Sequence, residues 1–283
     1  MITKYALFFL FAATFISCRK QNPDPTVPKP IIPPGQTNGK LKDMIVDRLP
    51  SPIYHFEYND SGYVKKAAFA DGLGVYDVSY ADKKIVEMVT NKDIITGAGD
   101  KLEYKCLDGV LTVISVINKN GVCYKRCFLK FTFSAQLEYL QWDVNIYNKG
   151  FTAETSMELE YYDNGNLKKI RYSDFPLNSQ QITVYEDSYE DYDDKLNVDD
   201  FSLLHNHPFN QLFVLLPSQS EHLQYNNPRR VTRTGDGLNY QVNYSYTYDA
   251  KGRPVIKKGD LISTNGADAG KHTDLLTKFV YYN

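Results

Sequence analysis

Residues Glu186 to Asp200 carry eight carboxylates: Glu186, Asp187, Glu190, Asp191, Asp193, Asp194, Asp199 and Asp200. Hard oxygen ligands at that density suit calcium, with Asp191, Asp193 and Asp194 as the candidate ligands. An EF-hand loop opening at Asp191 would need Gly at 196 and Glu at 202, where the chain has Leu196 and Ser202. The run is therefore expected to be a solvated acidic loop, because like charges in sequence repel and stay in water. His205 and His207 form a His-x-His pair that shares a face on a strand and could hold zinc there, but diverges by about 200° on a helix. His55, His222 and His272 fall in no ligand spacing, so no metal site is expected.

Cys106, Cys123 and Cys127 are the thiols of the body. If Asn120-Gly121 and Asp108-Gly109 each form a two-residue turn, Cys127 faces Ile114, Cys123 faces Asn118, and Cys106 faces Leu111, which in turn faces Lys130. Cys106 then lies on the opposite sheet face from the other two. Cys123 and Cys127 would sit about 13 Å apart along one strand, beyond the roughly 7 Å that a disulfide spans. No intramolecular disulfide is expected.

Gly-x-Ser-x-Gly, His-Glu-x-x-His, the phosphate loop and Gly-x-Gly-x-x-Gly are all missing from the chain, and no cofactor is expected. A carboxylate pair for glycoside hydrolysis is set by distance in the fold, so a glycan-acting or other hydrolase stays open as the alternative. Lys plus Arg number 32 against 34 for Asp plus Glu, a net charge of −2. That balance supplies no basic field for nucleic acid.

The chain has 23 Tyr and 15 Phe but a single Trp, a composition that suits strands. Tyr240, Tyr244, Tyr246 and Tyr248 alternate along one segment and share a face. Such a stripe could stack a glycan or grip a protein ligand, or form a cross-strand aromatic ladder that stabilises a sheet.

Positioning these groups falls to three regions. Residues 1–17 read as a signal peptide: Lys4, then a twelve-residue apolar run from Tyr5 to Ile16, too short for a bilayer span. Phe15-Ile16-Ser17-Cys18 resembles the lipobox of bacterial lipoproteins, which implies acylation of Cys18 and attachment to a membrane through that lipid. Phe15 departs from the Leu usual there. Residues 18–40 add six prolines, a tether that in polyproline geometry reaches roughly 60 Å. Arg19 after the cysteine resembles sorting signals for the outer membrane, so the expected address is the cell envelope.

Residues 41–283 read as a single β domain. Three segments align without gaps: Phe56 to Gly62, Leu159 to Gly165 and Tyr246 to Gly252, each a Tyr-x-x-x-Gly hairpin. Asp108-Gly109, Asn120-Gly121, Asp236-Gly237 and Asn265-Gly266 mark further hairpins, and Lys278 to Tyr282 a closing strand. These segments resemble the Tyr-Asp repeats of bacterial shell proteins. More closely, they are similar to a family of Gram-negative cell-envelope lipoproteins of unknown function. That resemblance implies a long antiparallel, porin-like sheet and no chemistry. The expected fold is all-β, a long antiparallel meander curled into an open or barrel-like sheet that hides its edges. Asp199-Asp200 can cap a short helical insertion over 199–216, broken near Pro208 and covering one end of the sheet. Strands that mix Lys and Glu on most faces speak against a membrane pore. The expected function is that of a non-enzymatic, membrane-anchored binding or scaffolding module.

Overall fold

A computed structural model describes residues 39–93, 99–146, 150–176, 181–204, 214–218 and 221–282. The strands are β1 Leu41–Val46, β2 Tyr54–Tyr58, β3 Val64–Phe69, β4 Gly74–Ala81, β5 Lys84–Asp93, β6 Lys101–Leu107, β7 Leu111–Ile117 and β8 Cys123–Phe131. They continue as β9 Leu137–Asn145, β10 Phe151–Tyr161, β11 Leu167–Asp174, β12 Thr183–Glu190, β13 Arg230–Gly235, β14 Tyr240–Tyr248, β15 Pro254–Ser263 and β16 His272–Tyr281. Each pairs with its sequence neighbours, and β1 pairs with β16 through Leu41↔Tyr281 and Met44↔Phe279. The sheet is thus a closed antiparallel barrel of sixteen strands. Closure removes every edge that could recruit another strand.

Period-two alternation decides what faces inward. On β7, Thr112, Ile114 and Val116 are buried. Their partners Leu102, Tyr104, Cys127 and Leu129 on β6 and β8 join one apolar cluster that runs round the wall to Met157, Ile170, Tyr172 and Phe279. The outward face mixes apolar residues such as Val113, Phe128, Ile256 and Val280 with charged ones set in cross-strand pairs. Lys66 faces Asp77 at 3.9 Å, Lys169 faces Glu186 at 3.1 Å, and Arg230 faces Glu190 at 2.9 Å. Exposed pairs of this kind contribute little stability, typically below about 1 kcal/mol. Their significance is that they put charges on the outer wall.

The three aligned repeats fold identically. In each, the residue after the tyrosine bonds across the turn (Asn59 to Tyr63, Tyr162 to Asn166, Asp249 to Arg253), and the glycine N–H donates back to that same residue's carbonyl. Gly62, Gly165 and Gly252 all adopt positive φ, near 80°, which glycine tolerates best. The ladder shifts register at each repeat tyrosine. Several tyrosine hydroxyls serve such shifts. Tyr80, Tyr161, Tyr192 and Tyr281 donate their hydroxyls to the carbonyls of Val64, Leu137, Leu167 and Pro254, at 2.6–2.9 Å. Each acceptor is the first strand residue after a turn and sits at a register shift. Tyr58 does the same for Leu41, at the shift between β1 and β16. One end of the barrel, where the chain enters at Leu41 and leaves at Tyr281, is stitched by this set of hydroxyls.

The cysteine register needs correction. Cys127 does face Ile114, and Leu111 faces Lys130, but Cys106 faces Thr112 because residues 108–110 form a three-residue connection. A shift at Val116/Ile117 puts Cys123 opposite Ile117 rather than Asn118. Cys106 and Cys127 therefore share one face, on which Cys106 is exposed, and Cys123 lies on the other. All three thiols are free.

Removing one stitching hydroxyl strands a carbonyl at a shielded position, at a cost of about 1–3 kcal/mol. Tyr161→Phe and Tyr281→Phe are each expected to lower the urea-unfolding free energy by that amount without changing the far-UV spectrum. Unchanged midpoints would contradict this role.

Candidate functional site

The tyrosine stripe of β14 lines the interior of the barrel. Tyr244 and Tyr246 stand 6.4 Å apart between ring centres, and Tyr246 and Tyr248 stack at 6.1 Å. Tyr246 donates to the Pro228 carbonyl at 2.9 Å, Tyr248 donates to Asp193, and the Lys257 ammonium lies 4.4 Å over Tyr244. Gly259 makes room: a Cβ there would come within 2.8 Å of the Tyr244 ring. Tyr240 lies beside the Arg233 guanidinium at 5.1 Å, which also sits over Tyr172 and Tyr185. Arg233 in turn grips Asp187 with two hydrogen bonds of 2.6 and 2.7 Å. The stripe forms an internal ladder in which the Tyr246 and Tyr248 hydroxyls are bonded to the protein.

The acidic run is not one solvated loop. Its first part is strand β12, with Glu186 and Glu190 outward in ion pairs and Asp187 only 4% exposed. Asp191 pairs with Arg230 at 3.1 Å, and Asp194 with Lys195 at 3.1 Å. Asp193 accepts from Lys195 N, from Asn227 N and Nδ2, and from Tyr248. The three calcium candidates are thus dispersed among separate partners, and no cluster of metal-binding side chains occurs among the described residues. Cys18, His205 and His207 lie outside the described residues.

The run ends in the structure that closes the barrel. Between β12 and β13 the chain folds back over the stitched end. Asp199 accepts from the Ser202 backbone N–H and caps α1, Phe201–Leu204. Phe201 wedges edge-on against Tyr54 and Phe56, both at 4.9 Å. Leu204, Val214, Leu215 and Leu223 join the barrel core. The helix is shorter than the sequence suggests: 205–213 fall outside the described residues, and 214–216 are not helical. There the wall competes for the backbone, because Leu215 N donates to the Tyr104 hydroxyl at 3.2 Å and Ile85 N donates to Pro217 O at 2.8 Å. The second limb is pinned by Tyr225 N and Asn226 N, both donating to Asn166 Oδ1.

This plug leaves a cleft of about 530 Å³ at the rim, between its two limbs and the β1, β2–β3 and β4–β5 wall. Apolar lining comes from Leu41, Val64, Ile85, Val198, Phe201, Leu215 and Leu216, and polar lining from Lys40, Tyr58, Ser61, Tyr80, Asn197, Asp200, Ser218 and Glu221. Asp200 accepts from Asn197 Nδ2 at 2.8 Å and from Leu223 N at 3.1 Å, tying the two limbs together. Burial, with the like charge of Asp199 adding to it, pushes the Asp200 carboxyl up to about 7. Burial also raises Glu221, opposed by its bond from Ser218 N and by Lys84. Asp199 is raised by burial, and its Oδ1 has no hydrogen-bond partner among the described residues. No local motif marks this site, since its residues converge from positions 39 to 221.

Two solved structures share the fold. A porin-like protein from Bacteroides uniformis ATCC 8492 superposes with a TM-score of 0.55 at 12% identity, over 81% of this chain and 89% of its own. A porin-like protein from Bacteroides vulgatus ATCC 8482 does so at 0.51 and 12%, over 86% of this chain and 99% of its own. At that identity the likeness is one of fold: an all-β, porin-like barrel. No known protein family and no functionally curated protein matches the chain.

An unfolded Asp titrates near 4, so between about pH 4 and 7 the folded chain holds a proton at Asp200 that the unfolded chain has lost. This carboxyl therefore lowers stability progressively as pH rises through that window. The titratable groups around it are Asp199, Tyr161, Tyr192 and Tyr225. Wild type is expected to lose stability relative to Asp200→Asn from pH 4.5 to 7.5, measured by urea unfolding. A gap constant with pH would refute the assignment.

Proposed function

We propose that this chain is a non-enzymatic lipoprotein of the bacterial cell envelope, attached through Cys18, whose barrel acts in water as a binding module with the rim cleft as its ligand site. The carrying observation is where the charges lie: an apolar, plugged interior and an outer face that carries cross-strand ion pairs among its apolar positions. A membrane-spanning barrel needs the reverse, and each Arg or Lys facing lipid at the midplane costs about 2–4 kcal/mol. Lys169 and Arg171 both project outward from the middle of β11.

The address is supported by the apolar run ending at Ser17-Cys18 and by the six-proline segment that follows. Two or three acyl chains hold a protein stably at a bilayer, each buried methylene contributing about 0.8 kcal/mol. Placement at the outer membrane is consistent with Arg19 and with the porin-like neighbours. The three regions at 1–17, 18–40 and 41–283 then serve as export signal, anchored tether and ligand-binding domain.

A second reading, hydrolysis, is favoured by one observation: Asp200 and Glu221 line the same cleft, and Asp200 is raised toward neutrality as a general acid would be. Both carboxylates already accept backbone hydrogen bonds from the plug, which favours binding over turnover. Release of reducing sugar from envelope polysaccharide, abolished by Glu221→Gln, would establish hydrolysis instead.

Expressed in a Gram-negative host, the full chain is expected to enter the detergent phase on Triton X-114 partitioning and to incorporate radiolabelled palmitate. Cys18→Ala is expected to abolish the labelling. Palmitate labelling that survives Cys18→Ala would overturn the anchor. Residues 40–283 alone are expected to stay in solution without detergent and to leave planar bilayers non-conducting. Stepwise conductance would replace the binding-module reading with that of a pore.

A further inference from the structure

We infer that the rim cleft takes a small organic ammonium ion carried on an apolar body, whose charge is met by the Asp200 and Glu221 carboxylates and by the rings of Tyr58 and Tyr80. The inference rests on the reading of the cleft as a ligand site and names the ligand's chemical class.

Beside the Lys40 ammonium and the Ser61 and Ser218 hydroxyls, four donors around the cleft are already committed to the protein. Tyr58 spends its hydroxyl proton on Leu41 O at 2.8 Å, and Tyr80 spends its own on Val64 O at 2.9 Å. Asn197 Nδ2 donates to Asp200 at 2.8 Å, and Ser218 N donates to Glu221 at 2.9 Å. These donors are turned to the protein's own acceptors. Acceptor capacity remains, because each carboxylate oxygen takes two hydrogen bonds and each phenolic oxygen can accept while donating. A ligand that complements such a lining brings donors, and an ammonium brings them with a positive charge.

The electrostatics agree. The neighbouring charge at Asp200 is a like one, Asp199, and burial raises both Asp200 and Glu221, with Lys84 offsetting only part of the shift at Glu221. A cation entering the cleft supplies further countercharge. The aromatic faces are suited to the same guest, since a cation over a tyrosine ring gains about 0.5–2 kcal/mol. The chain demonstrates this itself at the cleft mouth, where the Lys40 ammonium sits 5.6 Å over the Tyr58 ring. Below it, Leu41, Val64, Ile85 and Leu215 offer a surface for the apolar body. The volume of about 530 Å³ lies within the range of small-molecule pockets.

The test is calorimetric titration of the full chain in detergent-free phospholipid nanodiscs with n-hexylammonium, 1-hexanol and hexanoate, with protein-free nanodiscs subtracted. Hexylammonium is expected to saturate one site and to bind at least about tenfold tighter than hexanol, with hexanoate weakest. Asp200→Asn and Glu221→Gln are each expected to weaken hexylammonium about tenfold and to leave hexanol unchanged. Asp200 ties the plug limbs together, so if its variant misfolds, Glu221→Gln carries the comparison. Hexanol binding as tightly as hexylammonium, indifference of hexylammonium to both variants, or no saturable binding of any probe would overturn the inference. None of these touches the binding-module reading, which falls only if the barrel conducts ions or turns over a substrate.

Discussion

Closing a sixteen-strand sheet satisfies every edge but encloses a space, and whatever fills that space decides what the molecule can be. At this strand number membrane barrels enclose an aqueous channel. Here Tyr, Phe, Leu, Ile and Met make up much of the inward face, and the connection between β12 and β13 turns back to complete the filling from one end. Phe201 seated between Tyr54 and Phe56, and Leu204, Val214, Leu215 and Leu223 in the core, make that connection part of the interior. The rim cleft and the buried Asp199 and Asp200 carboxylates follow from filling the barrel with protein.

The plug has to bring its polar backbone into an apolar enclosure, and the wall is built to receive it. Tyr104, Asn166 and the Ile85 N–H each bond to plug atoms, while Asp200 bonds one plug limb to the other. Asp187 and Arg233 show the same economy in the wall: a charge pair turned inward, doubly hydrogen-bonded and enclosed by three tyrosine rings. The cleft is where this mutual satisfaction stops. Its carboxylates are hydrogen-bonded but lack a full countercharge, an imbalance that the proposed ligand would relieve.

Much of the wall was legible in the sequence because its determinants are local. The three Tyr-x-x-x-Gly segments became hairpins of one geometry, Leu111–Ile117 is a strand as its alternation indicates, and Asp199 caps a helix. Faces were harder. One extra residue in a turn reverses a strand's facing, so the connection at 108–110 put Cys106 on the face of Cys127, where it is exposed, and the shift at Val116/Ile117 put Cys123 on the other. The acidic run misled because its partners are remote: Asp187 meets Arg233, and Asp193 meets Asn227 and Tyr248. Closure through Leu41 and Tyr281 carries no local mark, and a cleft assembled from β1 to the plug carries none either. The hydroxyl stitching was hidden for a related reason, since a tyrosine reads the same whether its oxygen meets water or the next hairpin's carbonyl.

The account stands or falls on which solvent the outer wall meets. Nitroxide labels at Ser115 and Ser245, mid-strand and outward on opposite sides of the barrel, would report it in the full chain reconstituted into liposomes, with the native body thiols replaced. Power-saturation electron paramagnetic resonance then compares collision with a water-soluble nickel complex against collision with oxygen, which concentrates in lipid. The account predicts nickel accessibility at both positions. A nickel-shielded, oxygen-accessible response at both would place the wall in the bilayer and contradict it.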